Sequence, residues 1–204
     1  MVYGVFGMRL QVAQNALRVA GLILAVCMWL AGLAGTGIAG PYLDYVNRLN
    51  ASPPAGSMYR PDLEEQLVAL ANAFRAEEGK KPLTTDPAFH AAARAHAADM
   101  MINNFMGHRA STGQDFESRM SALVGDVTKY PTLGENAARD TQKTPVDAAK
   151  AKALFTQWVN SRPHRKALLS RDYRFVSTGV IQRGNKIWAV QIFFGTPRAK
   201  GILQ

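Results

Sequence analysis

From position 63 the apolar residues recur at helical spacing, and from position 175 they alternate. Leu63, Leu67, Leu70, Ala71 and Phe74 share one helical face. The preceding Pro61-Asp62-Leu63-Glu64-Glu65 predicts Asp62 as the helix cap, with Glu65 reaching back to complete a capping box and Glu78-Gly79 ending the helix. Asp86-Pro87 predicts a second start, with Phe89, Ala93, His96 and Met100 as the apolar stripe. A shorter helix over residues 114–124 turns Phe116, Met120 and Leu123 inward. Thr144-Pro145-Val146-Asp147 predicts another, capped by Thr144 with Asp147 closing the box and with Ala151, Leu154, Phe155 and Trp158 buried. Residues 163–169 add a short helical turn.

The period then becomes two. Residues 175–182 and 186–194 flank Arg183-Gly184-Asn185, and Gly184-Asn185 predicts a two-residue hairpin turn. Along the second strand Trp188, Val190, Ile192 and Phe194 occupy one face, and Ile187, Ala189 and Phe193 the other. Both faces are apolar, so the hairpin needs a layer above and a layer below, and helices are the material for both. The expected architecture is α+β, a three-layer α/β/α sandwich around a central antiparallel sheet.

Ahead of this lies a segment of another kind. Residues 19–40 are 22 apolar or small side chains without a charge, and Arg9 and Arg18 precede them. Such a run is long enough to cross a bilayer, and the preceding arginines hold its start in the cytoplasm. The expectation is an N-terminal hydrophobic helix over residues 1–40, either a cleaved signal peptide or a retained membrane anchor, with everything after it exported. Gly37-Ile38-Ala39 offers small residues for cleavage, while the length of the run favours an anchor. An acylation site at Cys27 is disfavoured by the bulk of Val26. Residues 41–60 read as a linker, since the stretch from Asn47 to Arg60 is rich in Pro, Ser, Gly and Asn. The folded domain is expected over residues 61–196, with a tail at 197–204.

Composition sharpens this division. The chain has 204 residues, 48% hydrophobic and 19% charged, which suits one domain plus appendages. Its net charge of +9 is unevenly placed: residues 41–142 carry 10 basic and 13 acidic groups, whereas residues 143–204 carry 12 basic groups against Asp147 and Asp172. One cysteine excludes both a disulfide scaffold and a Cys-rich zinc module. Nucleic acid is a poor candidate partner, because an exported domain rarely meets it and no basic and aromatic interleaving suggests base stacking.

Four histidines are candidates for chemistry. His96 lies on an apolar stripe and reads as a core histidine bonded to a backbone group, and His90, one position off that stripe, reads as solvated. His108 follows Phe105-Met106-Gly107 in a loop, where a side chain can face a cleft. His164 follows Ser161-Arg162-Pro163 at the start of a short helix, a corner with free backbone donors. Glu135 sits in Gly134-Glu135-Asn136, a segment without a helix signal.

The order of these features carries a resemblance. Leu67 to Arg75 (LVALANAFR), Pro82-Leu83, Ala91 to Met100 (AAARAHAADM), His108, Gly134-Glu135-Asn136, Trp158 with His164, Leu168-Leu169, Gly179 and the stretch from Trp188 to Gly195 together resemble the bacterial branch of the CAP superfamily, or SCP domain. Its relatives include cysteine-rich secretory proteins, antigen 5 and pathogenesis-related proteins. The resemblance implies the same α/β/α sandwich and a central cleft with two histidines and two acids. His108, Glu135 and His164 match three of those four, and the second acid is missing at Val159-Asn160-Ser161. The implied cleft set is His108, Glu135, Asn136, Ser161 and His164.

Two functions from different classes follow. The first is a cell-envelope or extracellular binding module for an anionic lipid, a wall polymer or a protein partner, which the basic C-terminal third favours. The second is a metal-assisted hydrolase in which His108, His164 and Glu135 hold a divalent ion such as zinc, or Glu135 serves as general base. Enzyme activity is the less favoured expectation: Cys27 lies in the apolar segment, and neither a nucleophile elbow nor His-Glu-x-x-His is present.

Overall fold

A computed structural model describes residues 39–197. The apolar segment at 19–40 and the tail at 197–204 lie almost wholly outside them, as does Cys27. No helix among the described residues is long and apolar enough to cross a membrane.

The first described elements correct the expected linker. Helix α1 (Ala39–Ala51) places Tyr42, Val46 and Leu49 at i, i+4 and i+7 and buries all three. After a turn closed by Ser57 N donating to the Pro54 carbonyl, strand β1 (Ser57–Tyr59) joins the sheet. The Pro- and Ser-rich stretch is therefore a tight connection inside the domain, and the apolar triplet before it is core.

Helix α2 (Pro61–Glu77) follows, then strand β2 (Thr84–Thr85), a single 3-10 turn at Pro87–Phe89 and helix α3 (His90–Ile102). Asp86 caps the 3-10 turn by accepting from Ala88 N, as its position before proline predicts. Two other caps differ from expectation. Helix α2 starts after Arg60 without a side-chain cap, because Asp62 is drawn into a pair with Arg60 Nε at 2.8 Å. The helix expected to begin at Thr144 begins instead at Ala148, capped by Asp147, while the Thr144 hydroxyl accepts from Lys150 Nζ at 3.0 Å.

Helix α4 (Phe116–Val124) is capped by Asp115. Strand β3 (Leu133–Asp140), helices α5 (Ala148–Asn160) and α6 (Arg162–Leu169), and the hairpin of β4 (Phe175–Arg183) and β5 (Lys186–Phe194) complete the domain. The strand order is β1-β4-β5-β3, antiparallel throughout, with the short β2 running parallel to β4.

The alternation along β5 sorts the core into two layers, as predicted. Trp188, Val190, Ile192 and Phe194 pack with α1, α3 and α4, around Phe89, Met100 and Met120. Ile187, Ala189 and Phe193 pack with α2, α5 and α6, around Leu67, Leu154, Trp158 and Leu168. Helix α3 comes so close to β4 that a Cβ at Gly179 would strike the backbone of Ala93 and Arg94, so glycine is required there. Both cores draw on helices and strands from along the whole of residues 39–197.

Candidate functional site

Glu135 lies on β3 opposite Ile192 of β5, and its side chain is only 2% exposed. A carboxylate at that depth needs partners, and it has several. Arg119 forks onto it, Nη1 to Oε1 at 3.1 Å and Nη2 to Oε2 at 3.0 Å. His108 Nδ1 lies 2.9 Å from Oε1, and His96 Nε2 lies 3.8 Å from the same oxygen. Arg119 is fully buried, and it also donates to the His108 carbonyl and, through Nε, to Tyr42 Oη at 3.2 Å. Helix α1 therefore supplies one wall of this hub.

The protonation states follow from the partners. Burial alone would raise the Glu135 carboxyl, but the charge of Arg119 and the His108 hydrogen bond outweigh it and hold the pKa at about 2. The bond to Glu135 raises His108, so its Nδ1 donates to the carboxylate. The His108 side chain is 53% exposed, which leaves Nε2 toward solvent. Burial, with Arg119 adding, pushes His96 down. His96 Nε2 donates to the Gly107 carbonyl at 2.8 Å, so in the neutral ring the buried Nδ1 is an acceptor without a donor. His96 is the core histidine bonded to backbone that its stripe predicts. His90 is not free in solvent: its Nε2 lies 3.0 Å from Glu64 Oε2.

The loop that carries His108 is shaped by a second buried acid. Asp99 on α3 accepts from Tyr45 Oη of α1 at 2.8 Å, from Asn103 Nδ2 at 2.8 Å and from Ser111 N at 2.9 Å. These bonds fix both ends of residues 103–111.

His164 and Ser161 stand apart from the hub and line an open cleft of about 440 Å³ with Met106, Arg139, Gln157 and Trp158. Burial lowers His164, and the nearby charge of His108 lowers it further. Asn136 is fully buried. Its Nδ2 donates to the His164 carbonyl at 3.2 Å, so it positions the first turn of α6 from beneath. His108 of the hub is thus near enough to His164 of the cleft for its charge to be felt there. Arg139 is the one charged side chain in that lining, and no carboxylate belongs to it.

This geometry bears on the expected metal. Among the described residues no three His, Cys, Asp or Glu side chains converge as a metal would need. Both Glu135 oxygens already face a buried guanidinium, so a divalent ion would have to sit against a fixed positive charge. The proposed set of His108, Glu135 and His164 does not fit a metal, and a carboxyl held near pKa 2 is too weak a base for neutral pH.

Arg119 and Tyr42 were not singled out in the sequence. Arg119 did carry a signal, since Phe116, Arg119, Met120 and Leu123 fall at i, i+3, i+4 and i+7, which puts a charge on an apolar stripe.

Comparison with known proteins agrees with this architecture. The family model described as CAP, the cysteine-rich secretory protein family, matches residues 68–193. The chain is 34% identical over 146 residues to the uncharacterized protein YkwD of Bacillus subtilis, covering 71% of this chain and 51% of that protein. It is 32% identical over 117 residues to the uncharacterized membrane protein YlbC of the same organism, covering 57% of this chain and 31% of that one. The chain therefore spans about half or less of the length of these relatives. Among solved structures, an extracellular protein containing a SCP domain from Bacillus anthracis superposes with a TM-score of 0.55 at 26% identity, over 67% of this chain and 41% of that one. With the sandwich and the family match in agreement, this chain belongs to the cysteine-rich secretory protein, or CAP, family in its bacterial form.

Proposed function

We propose that this protein is a binding module that works outside the cytoplasm, and that its central cleft and the adjoining basic face of α6 take an anionic partner of the cell envelope. The observation that carries this reading is the charge of the cleft: Arg139 lines it, Glu135 is withdrawn into a neutralised pair behind it, and no carboxylate opposes an anion there. Arg162 and Lys166 stand exposed on α6 and make no ion pair with any described residue. Export is supported by the apolar segment at 19–40 and by the extracellular description of the Bacillus anthracis structure.

The basic excess after residue 142 is smaller than it looks. Lys150 is buried against Asp140 at 3.1 Å, and Arg165 pairs with Glu78 and lies over the Phe74 ring. Beside the cleft, Arg139, Arg162 and Lys166 are the basic groups that no described carboxylate pairs. The locked Glu135 weighs against the hydrolase reading, and it favours binding over turnover.

The shared chemistry of the candidate partners is a phosphate or carboxylate group, carried by a lipid headgroup or by a wall polymer. Residues 39–204 should bind phosphatidylglycerol vesicles or purified wall material in a salt-dependent way, and the two supports distinguish the sources. Arg162→Glu with Lys166→Glu should weaken retention at least about tenfold at low salt. Retention indifferent to salt and to both reversals would sink the anionic reading.

A further inference from the structure

The outer edge of β4 is covered twice and left open between. β1 pairs with Ile181–Arg183, and Arg60 N extends this cover by donating to the Val180 carbonyl. Glu64 Oε1 stands in for a strand at the next position, accepting from Val180 N at 3.0 Å. From the other end β2 pairs with Phe175 and Val176, and Asp86 N donates to the Val176 carbonyl. The backbone groups of Val176 and Val180 point to this outer edge, so by the period of two the N–H and C=O of Thr178 point to it as well. Neither β1 nor β2 reaches Thr178, and no described residue bonds its outward backbone groups.

The gap opens into a cavity of about 280 Å³ that Thr178 helps to line. Its apolar walls are Pro61, Val68 and Pro87. Its polar floor is a closed set: Arg94 forks onto Glu64 at 2.8 and 2.7 Å, and His90 lies 3.0 Å from the same carboxylate. Glu64 is held ionised by these partners and by Val180 N, even though burial works against it. The floor is therefore near neutral and its hydrogen bonds are largely taken. Glu65, Thr85 and Asp86 also line the cavity, and what the edge of β4 itself leaves available is a backbone donor and acceptor side by side, beside an apolar wall.

We propose that this notch is a subsite for a secondary amide, specifically the acetamido group of an N-acetylated amino sugar. An amide supplies a carbonyl for Thr178 N–H and an N–H for the Thr178 carbonyl, as a neighbouring strand would, and its methyl meets the apolar wall. An extended peptide is less suited, because β1 and β2 block the edge at both ends and leave room for a pendant group rather than a chain running through. The cavity lies at the small end of ligand sites, which suits one sugar ring and not a lipid chain. This site is separate from the cleft beside His164, so it stands or falls apart from the anionic reading.

The test uses the full chain in detergent micelles, with N,N′-diacetylchitobiose, cellobiose and trialanine as probes. Cellobiose keeps the neutral sugar rings and lacks the amide. The diacetylated disaccharide should bind at least about tenfold more tightly than cellobiose, the loss expected for two backbone hydrogen bonds. Hydrogen exchange should slow in the segment around Thr178 and stay unchanged over residues 157–164. Val68→Phe, which fills the notch, should abolish binding while circular dichroism keeps its helical signal. If that variant unfolds, Thr85→Tyr narrows the opposite lip and serves the same purpose. Equal binding of cellobiose, binding of trialanine alone, or protection confined to residues 157–164 would each overturn the assignment.

Discussion

Arg119 is the residue on which the hub depends. It is fully buried beside a carboxylate that is itself nearly buried, so each charge is tolerable because of the other. Arg119→Met should cost about 3–5 kcal/mol of folding stability, since it leaves the Glu135 carboxylate buried and without its main cation. Arg119→Met combined with Glu135→Gln should recover a large part of that loss. A urea-unfolding double-mutant cycle measures the coupling, and additive losses would show the pair to be independent. Glu135 was legible as a candidate from its setting between glycine and asparagine. Its partner was not singled out, because a stripe of Phe116, Met120 and Leu123 already satisfies the helical pattern without it.

At the scale of elements, α1 is both the largest departure from expectation and a structural part of the hub. Tyr42 packs in the core and accepts from Arg119, while Tyr45 anchors Asp99 and through it the loop of His108. A chain begun at residue 61 should therefore lose at least about 3 kcal/mol against one begun at residue 39, because Tyr42, Val46 and Leu49 leave their faces of α3 and α4 bare. Matching urea midpoints for the two chains would refute this. The hairpin shows the opposite case. Its strands, its turn and the facing of each side chain on β5 were readable from residues 175–194, because a two-residue period and Gly184-Asn185 are local signals. Helix α1 was obscured because a Pro- and Ser-rich stretch usually marks a spacer, and nothing local reports that a strand docks immediately after it.

For the molecule as a whole, the buried titratable groups set the pH range of stability. Glu135 is depressed to about 2 from 4.5, so its contribution is complete above pH 4.5 and is lost as the pH falls toward 2. His96 is depressed by burial, so protonation in the unfolded chain erodes stability as the pH falls below 6.5. His108 is raised, so its contribution is complete below pH 6.5 and fades as the pH rises through its folded value. Burial pushes Tyr45 and Tyr59 up to about 12, so stability declines again between pH 10 and 12. Denaturant midpoints measured across pH should fall steeply below 4.5 and again above 10. His96→Gln should flatten the slope between pH 6.5 and 5, and an unchanged slope would remove His96 from this account.

The sequence by itself determined the layers and the family. Helical and alternating periods, turn residues and the order of His108, Glu135 and His164 are properties of neighbouring residues or of their order along the chain, and each survives without knowledge of the fold. Tertiary structure decided which charges are free. Glu135 became a locked ion pair because α4 brings Arg119 to it, and Lys150 and Arg165 left the basic surface because Asp140 and Glu78 meet them. The open edge at Thr178 exists because two strands distant in sequence stop short of each other on β4. Pairing and burial are relations across the chain, and periodicity along the chain does not encode them.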